Sequence, residues 1–433
     1  MLLRFSTSNF ASIRDLQELS LIASSLRGDP SAIVRSSGLQ YGPLRVAAIY
    51  GPNASGKTNF LSALRFMRIA VLNSQRHWDP TDEIDRHPFL LDTSRSRPSE
   101  FNVDLLIGGV RYEYGFSVDD HKVLNEYLYA YPERRRQLWF ERSAEGKQII
   151  FGKNLTGENR TIENLTRPDS LFLSAAAQNN HEKLSPISNW FSNELVFRAN
   201  LIEPGSVEAT IEMCANSEDT KRAVLGLLTG ADLGVVGIDI TEESPDEQLS
   251  VFDEKLRKFL ASEFPESATE FPKLKDRIRR IRLQHRSGDE SPVPISISDE
   301  SAGTMAYLAI IGPAIQTLKS GGILIVDELD ASLHPLLVEE IVRIFNQEET
   351  NPRGAQLIFT THSTELLGTG LLRRDEIWFT EKDEHGATRI YPMSDFKPRK
   401  HENLQRGYLQ GRYGATPFIR ASALAEVSDA TQE

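Results

Sequence analysis

One uninterrupted run carries the strongest chemical signal in the chain: Gly51-Pro52-Asn53-Ala54-Ser55-Gly56-Lys57-Thr58. Glycines at both ends of such a loop let backbone N–H groups curl around phosphate oxygens, and a helix starting there adds its positive pole. At this spacing Lys57 is suited to reach the outer phosphates of a nucleotide, and the Thr58 hydroxyl to ligate Mg²⁺. An accidental glycine-rich turn would not need the flanking context that is present. Arg45-Val46-Ala47-Ala48-Ile49-Tyr50 reads as a strand, and Asn59 to Met67 as a helix.

Two further runs supply the chemistry a phosphate site needs. Ile323-Leu324-Ile325-Val326 reads as a buried strand, and Asp327-Glu328 sit where it emerges. Asp327 is suited to hold Mg²⁺ through water, and Glu328 to polarise the attacking water as a general base. A third strand, Gln356-Leu357-Ile358-Phe359-Thr360-Thr361, ends at His362. That position favours a contact to the γ-phosphate or its attacking water over a packing role. None of the other histidines has metal-site spacing, and the single cysteine, Cys214, excludes an intramolecular disulfide.

The elements that must position these groups fall into a pattern. Phe101 to Leu106 and Arg111 to Val118 alternate with the two-residue period of half-buried strands, with Gly108-Gly109 as the turn between them. Helices are expected near 181–195, 216–229 and 252–283, and an extended segment from Val235 to Ile240, before the acidic run Glu242 to Glu247. The reading is an α/β P-loop core in two halves, 1–120 and 291–420, flanked by an antiparallel β subdomain, with a mostly helical insertion at 121–290 and a frayed tail at 421–433. The chain has 433 residues and a net charge of -12, so no continuously basic surface is expected, although a local basic groove is not excluded. Met1 to Ser6 does not read as a signal peptide, and no apolar run approaches membrane-spanning length. A cytoplasmic protein without a membrane span is the expectation.

Taken together, these motifs resemble the ABC-type ATPase superfamily, in its non-transporter branch with the SMC, RecF and OLD ATPase heads. The nearest likeness is to the AbiLii/RloA-like AAA-type ATPases of bacterial phage defence. Phe5 to Asp15 resembles their N-terminal strand and turn, Asp330-Ala331-Ser332-Leu333-His334-Pro335 their D-loop, and His362 their switch histidine. Ser301-Ala302-Gly303-Thr304 resembles a degenerate signature segment, in which Ala302 replaces a glycine and Thr304 a glutamine. An ordinary helix cap would use the same residues. The tail from Arg406 to Ile419, with Gly407-Tyr408-Leu409 and Gly411-Arg412-Tyr413-Gly414, resembles the ending of the AbiLii/RloA-like group. On the residues alone it is either a docking loop or tyrosines packed against the core.

The resemblance implies an ATPase that uses ATP and Mg²⁺ and works as a homodimer or a larger even-numbered oligomer. Two chains would meet head to tail, with Ser301–Thr304 of one chain facing the phosphate loop of the other. Arg14, with the loop around Phe10, is assigned to the base or ribose. Two uses of the cycle stay open. One is an antiphage switch that controls a separate effector protein; the other is a repair or maintenance ATPase acting on DNA. A built-in nuclease is not expected, because Asp239, Asp246 and Asp253 form no active-site pattern. Lys275, Arg277, Arg279, Arg280 and Arg282 read either as a nucleic-acid or partner surface or as a solvated helical face.

Overall fold

A computed structural model of the chain describes residues 1–26, 28–35, 39–143, 148–202, 204–243, 255, 278–288, 291–396 and 402–417. The described chain divides into two compact units, 1–199 with 316–433, and 200–315.

The first unit contains two sheets. The smaller, mixed sheet has six strands: β3 (Val46–Tyr50), β9 (Leu195–Arg198), β13 (Ile323–Val326), β14 (Gln356–Thr361), β15 (Ile377–Lys382) and β16 (Thr388–Pro392). Their order is β16-β15-β3-β14-β13-β9, parallel throughout except for the antiparallel pair β15–β16. Every residue of β3, β13 and β14 is buried, as expected of parallel strands covered on both faces. The other sheet is antiparallel and has seven strands: β1 (Leu2–Ser8), β2 (Gln17–Ser20), β4 (Ser99–Ile107), β5 (Val110–Val118), β6 (Val123–Tyr131), β7 (Gln137–Ser143) and β8 (Ile150–Phe151). Its β4–β5 hairpin turns at Gly108-Gly109, both with positive φ, where the sequence places the turn.

Helix α1 (Lys57–Asn73) packs against β1, β4 and the helices α3 (Phe172–Gln178) and α4 (Ser185–Asn193), with α2 (Asn159–Leu165) alongside α3. Its Phe60, Leu61, Ala63, Leu64, Met67, Ala70 and Val71 are buried in the common core. Phe60 meets Phe5 of β1 edge to face at 5.3 Å. Gln356, at the start of β14, accepts the Leu2 N–H at 2.7 Å and donates to Leu2 O and Leu44 O, both at 2.9 Å.

The boundaries differ from those expected. Residues 121–199 belong to the first unit, because β6 and β7 continue the seven-stranded sheet and β9 forms the edge beside β13. The physical reason lies at Glu126. Its position on β6 faces inward, where the period calls for an apolar residue. The buried carboxylate instead caps the start of α3, accepting Phe172 N at 2.6 Å and Leu173 N at 3.0 Å, and takes the Tyr114 hydroxyl at 3.0 Å.

The second unit is mixed rather than mainly helical. It holds α5 (Glu208–Asn216), α6 (Glu218–Gly230), most of α7 (Ala302–Ser320), and a three-stranded antiparallel sheet of β10 (Val235–Glu243), β11 (Ile278–His285) and β12 (Val293–Ser296). Residues 278–283, expected to end a helix, are strand. Ile281 and Leu283 are buried while Arg282 between them is exposed, which is the alternation of β-structure. Arg279, Arg280 and Arg282 therefore stand on a strand, not on a helical face. Lys275, Arg277, Asp246, Asp253, most of the expected 252–283 helix and the 421–433 tail lie outside the described residues. The helices α8 (Pro335–Asn346), α9 (Glu365–Thr369) and α10 (Leu404–Leu409) complete the first unit. Among the described residues, no helix is long and apolar enough to cross a membrane.

Candidate phosphate-binding and hydrolysis site

The phosphate loop runs from the end of β3 into α1, and two close approaches fix its path. Gly56 adopts φ 102°, and a Cβ there would run into Thr388 Oγ1 and lie 2.8 Å from Ser12 Oγ. Gly51 is backed by Thr380 and Ser55, so a side chain would have no room there either. Two threonine hydroxyls then pin the loop from behind. Ser55 Oγ and Thr380 Oγ1 are 2.7 Å apart, Thr380 Oγ1 donates to Tyr50 O at 3.2 Å, and Thr388 Oγ1 donates to Ser55 O at 2.8 Å. Ser12 extends this support: its Oγ lies 2.8 Å from Thr388 Oγ1 and accepts Asn59 Nδ2 at 2.7 Å. Pro52, Asn53 and Ala54 form the outer bend, with Asn53 and Ala54 exposed and Ala54 at φ 62°.

Lys57 is buried, and its ammonium donates to Gly51 O at 2.8 Å and Pro52 O at 3.2 Å. Burial holds its pKa below the usual lysine value, opposed by the negative charges of Asp327, Glu328 and Asp330. Thr58 Oγ1 donates to Asp327 Oδ2 at 2.8 Å, bringing together the two oxygens singled out for Mg²⁺. Strand β14 lies between β3 and β13, so its end faces both motifs.

That placement reveals a residue the sequence reading passed over. Thr360 Oγ1 donates to Asp327 Oδ1 at 2.6 Å and accepts Glu328 N at 2.7 Å, while Thr360 O accepts Leu329 N at 3.0 Å. Glu328 is exposed at the strand end and adopts φ 55°, an uncommon conformation for a side-chain-bearing residue. The run of β-formers Ile358-Phe359-Thr360-Thr361 gives no sign that one hydroxyl has this task. Ser12, Thr380 and Thr388 were equally silent.

His362 follows β14 directly. Its N–H is shared between the Asp330 carboxylate oxygens at 3.1 and 3.3 Å, which joins the D-loop-like segment to the histidine. Its ring is held below the ordinary histidine pKa by burial and then by the Lys57 charge, against Asp330, Glu328 and Asp327. Arg14 is engaged by acids, with Asp15 at 2.9 Å, Asp383 at 3.2 Å and Asp92 at 3.9 Å. Its loop neighbours Ala11 and Ser12 instead line a cavity of about 550 Å³ beside Asn59, together with Pro88, Phe89 and Gly386.

The signature-like residues lie in the second unit, at the start of α7. Ser301 caps that helix: its Oγ accepts Thr304 N at 3.1 Å and lies 2.9 Å from Thr304 Oγ1. Ser301 and Ala302 are exposed, Gly303 is half-buried and Thr304 is buried. Just before them, Glu300 Oε1 lies 2.7 Å from His285 Nε2 of β11.

A family model described as "AAA domain, putative AbiEii toxin, Type IV TA system" matches residues 46–368, about three quarters of the chain. The match opens on the first residue of β3 and runs past His362, so it contains the phosphate loop, Ser301–Thr304, Asp327, Glu328 and His362, while Ser12, Arg14, Thr380 and Thr388 lie outside it. No curated protein matches the chain.

Proposed function

The chain belongs to this AAA-domain family, and from that premise we propose that it is an ATP-hydrolysing molecular switch of a bacterial antiphage defence system, controlling a separate toxic effector. One observation carries the nucleotide chemistry: Thr58 and Asp327 are in direct contact at 2.8 Å beside the Lys57 ammonium and the Glu328 carboxylate. A hydroxyl and a carboxylate are the donors a P-loop magnesium site uses, and phosphate oxygens and water complete its shell. Magnesium held there would neutralise charge on the outer phosphates of ATP.

The chain's own residues divide the remaining work. Gly51–Thr58 wrap the phosphates with backbone N–H groups, and Lys57 turns its ammonium from loop carbonyls to phosphate oxygens. Glu328 orients the attacking water and accepts its proton, and His362, uncharged near neutral pH, hydrogen-bonds the γ-phosphate or that water. The cavity lined by Ala11, Ser12 and Asn59 takes the nucleoside.

The same reading makes the core an ABC-type head. Two chains enclose two nucleotides, with Ser301–Thr304 of one donating from a helix start to the γ-phosphate held by the other. ATP favours the closed pair and hydrolysis opens it, so the output is a change in partner affinity. The inserted residues up to 290 are then the partner or regulatory region, and the family's toxin–antitoxin description supports a protein effector as that partner.

The test is Glu328→Gln in the full chain. It should bind ATP, lose turnover and accumulate as dimers, while Lys57→Ala should lose binding. Unchanged turnover in cleanly purified Glu328→Gln sinks the general-base role. Capture of the trapped protein from its own cells separates the biology. A stoichiometric effector whose association follows ATP supports the switch, whereas abundant DNA with repair enzymes and no effector favours the maintenance reading.

A further inference from the structure

Residues 402–417 return to the back of the phosphate site. Tyr50, the last residue of β3 and the neighbour of Gly51, has a fully buried ring. The Tyr408 ring of α10 packs 6.0 Å from it and stacks on Phe379 of β15 at 5.5 Å and 10°. Tyr413 stacks on Phe379 as well, at 5.9 Å and 14°. Phe379 directly precedes Thr380, the residue whose hydroxyl meets Ser55 and Tyr50 O. The aromatic stack therefore presses on the strand ends that set the loop's position.

Hydrogen bonds close the segment on itself and onto the core. Tyr408 Oη donates to Ala415 O at 2.8 Å, Tyr391 Oη to Tyr413 O at 3.0 Å, and Ala415 N to Glu381 Oε2 at 3.2 Å. Gly407 and Gly414 are required by close approach: a Cβ at either would come within 2.8 Å of Tyr413 Oη or 2.6 Å of Tyr391 Oη, respectively. Gln405, one helical turn before Tyr408, reaches the residues that follow the histidine. Gln405 Nε2 donates to Thr364 Oγ1 at 3.3 Å, two residues beyond His362 and at the start of α9.

We propose that residues 402–417 are a C-terminal latch, in which Tyr408 positions the phosphate loop through Tyr50 and Phe379 and Gln405 positions the segment that carries His362. This rests on the ATPase reading above. Neither residue belongs to the phosphate loop or to the Asp327–Glu328 pair. A stack behind the loop governs how well the loop fits phosphate, and so KM. A hydrogen bond behind His362 governs the hydrolytic step, and so kcat.

The experiment measures ATP turnover by the full chain, with kcat and KM determined separately and folding checked by circular dichroism and Tm. Tyr408→Ala is expected to raise KM for ATP on the order of tenfold, with Tyr408→Phe, which keeps the stack, restoring it to near wild type. Gln405→Ala is expected to lower kcat several-fold with KM unchanged. A folded Tyr408→Ala protein with wild-type KM overturns the loop half, and an unchanged kcat in Gln405→Ala overturns the histidine half. Where Tyr408→Ala does not fold, Tyr408→Leu takes its place, with the same rise in KM expected and an unchanged KM counting against the latch. A wild-type chain that neither binds nor turns over ATP overturns the ATPase reading, and the latch with it. Wild-type turnover with silent latch variants overturns the latch alone.

Discussion

Thr360 Oγ1 bridges the two acids at the end of β13, donating to Asp327 Oδ1 at 2.6 Å and accepting the Glu328 N–H at 2.7 Å. One hydroxyl thus aims the magnesium ligand and stabilises the φ 55° turn that presents the proposed base. Such a conformation persists only when its surroundings fix it. Thr360→Val keeps the shape and removes both bonds. It should leave ATP binding within a few-fold of wild type while lowering kcat by about a hundredfold, and Thr360→Ser should recover most of the loss. A Val variant with wild-type kcat would show that Asp327 and Glu328 need no such tie.

Gly56 and Ala54 make a matched pair with opposite expectations. Gly56 has φ 102° and no room for a methyl group against Thr388 and Ser12, so Gly56→Ala should destabilise by about 2 kcal/mol and abolish nucleotide binding. Ala54 has φ 62° on the exposed bend, where glycine is the more comfortable residue, so Ala54→Gly should be neutral or stabilise by up to about 1 kcal/mol. Thermal melts with and without a non-hydrolysable ATP analogue measure both terms. Equal effects from the two substitutions would mean that the loop's backbone is not held as described.

Glu376, fully buried just before β15, gives the fold an alkaline weakness. Its Oε2 accepts Arg373 N at 2.7 Å, and Oε1 has no hydrogen-bond partner among the described residues. Burial, reinforced by the Asp375 charge, pushes its pKa up to about 8, against Arg373. Because the folded value is raised, its contribution is fully present below the unfolded carboxylate pKa and is lost as pH rises through about 8. The loss is of order 3 kcal/mol between pH 5 and 8. Glu376→Gln should flatten the decline in Tm over that range. A decline as steep as that of wild type would assign it to other groups.

How much of this was legible depended on whether the chemistry is contiguous in the chain. Gly51–Thr58 and Ile323–Glu328 can be read because strand, turn and functional residue follow one another, and the fold keeps them so. Thr360, Thr380, Thr388 and Ser12 were not legible, because each supports the site from a different strand or loop and looks like any other small hydroxyl residue there. The boundary expected at 121 fails for the same kind of reason: Glu126 puts a carboxylate at an inward position of β6 and breaks the two-residue pattern, while its compensating N–H donors lie at Phe172 and Leu173. Strand β11 was hidden by arginines whose spacing suits either period, and the burial of Ile281 and Leu283 decides between them. The tyrosines of the tail were visible, but their partner Phe379 was not identifiable.

The contact between Asp330 and the His362 N–H makes the pH profile of turnover a test of the histidine's role. The ring is held below the ordinary histidine value, first by burial and then by Lys57, so it is uncharged at pH 7. A lowered folded pKa means that its contribution to stability is present above the unfolded value, about 6.5, and is lost as pH falls through the folded one. Turnover should therefore be level from pH 7 to 8 and fall on the acid side, with the limb below pH 6.5. Asp330 raises the His362 pKa, so Asp330→Asn, which keeps an acceptor for the N–H, should move the limb to still lower pH. His362→Gln should abolish the limb in whatever turnover remains. If the limb survives in His362→Gln at the same pH, another group produces it, and the histidine has no proton-dependent part in hydrolysis.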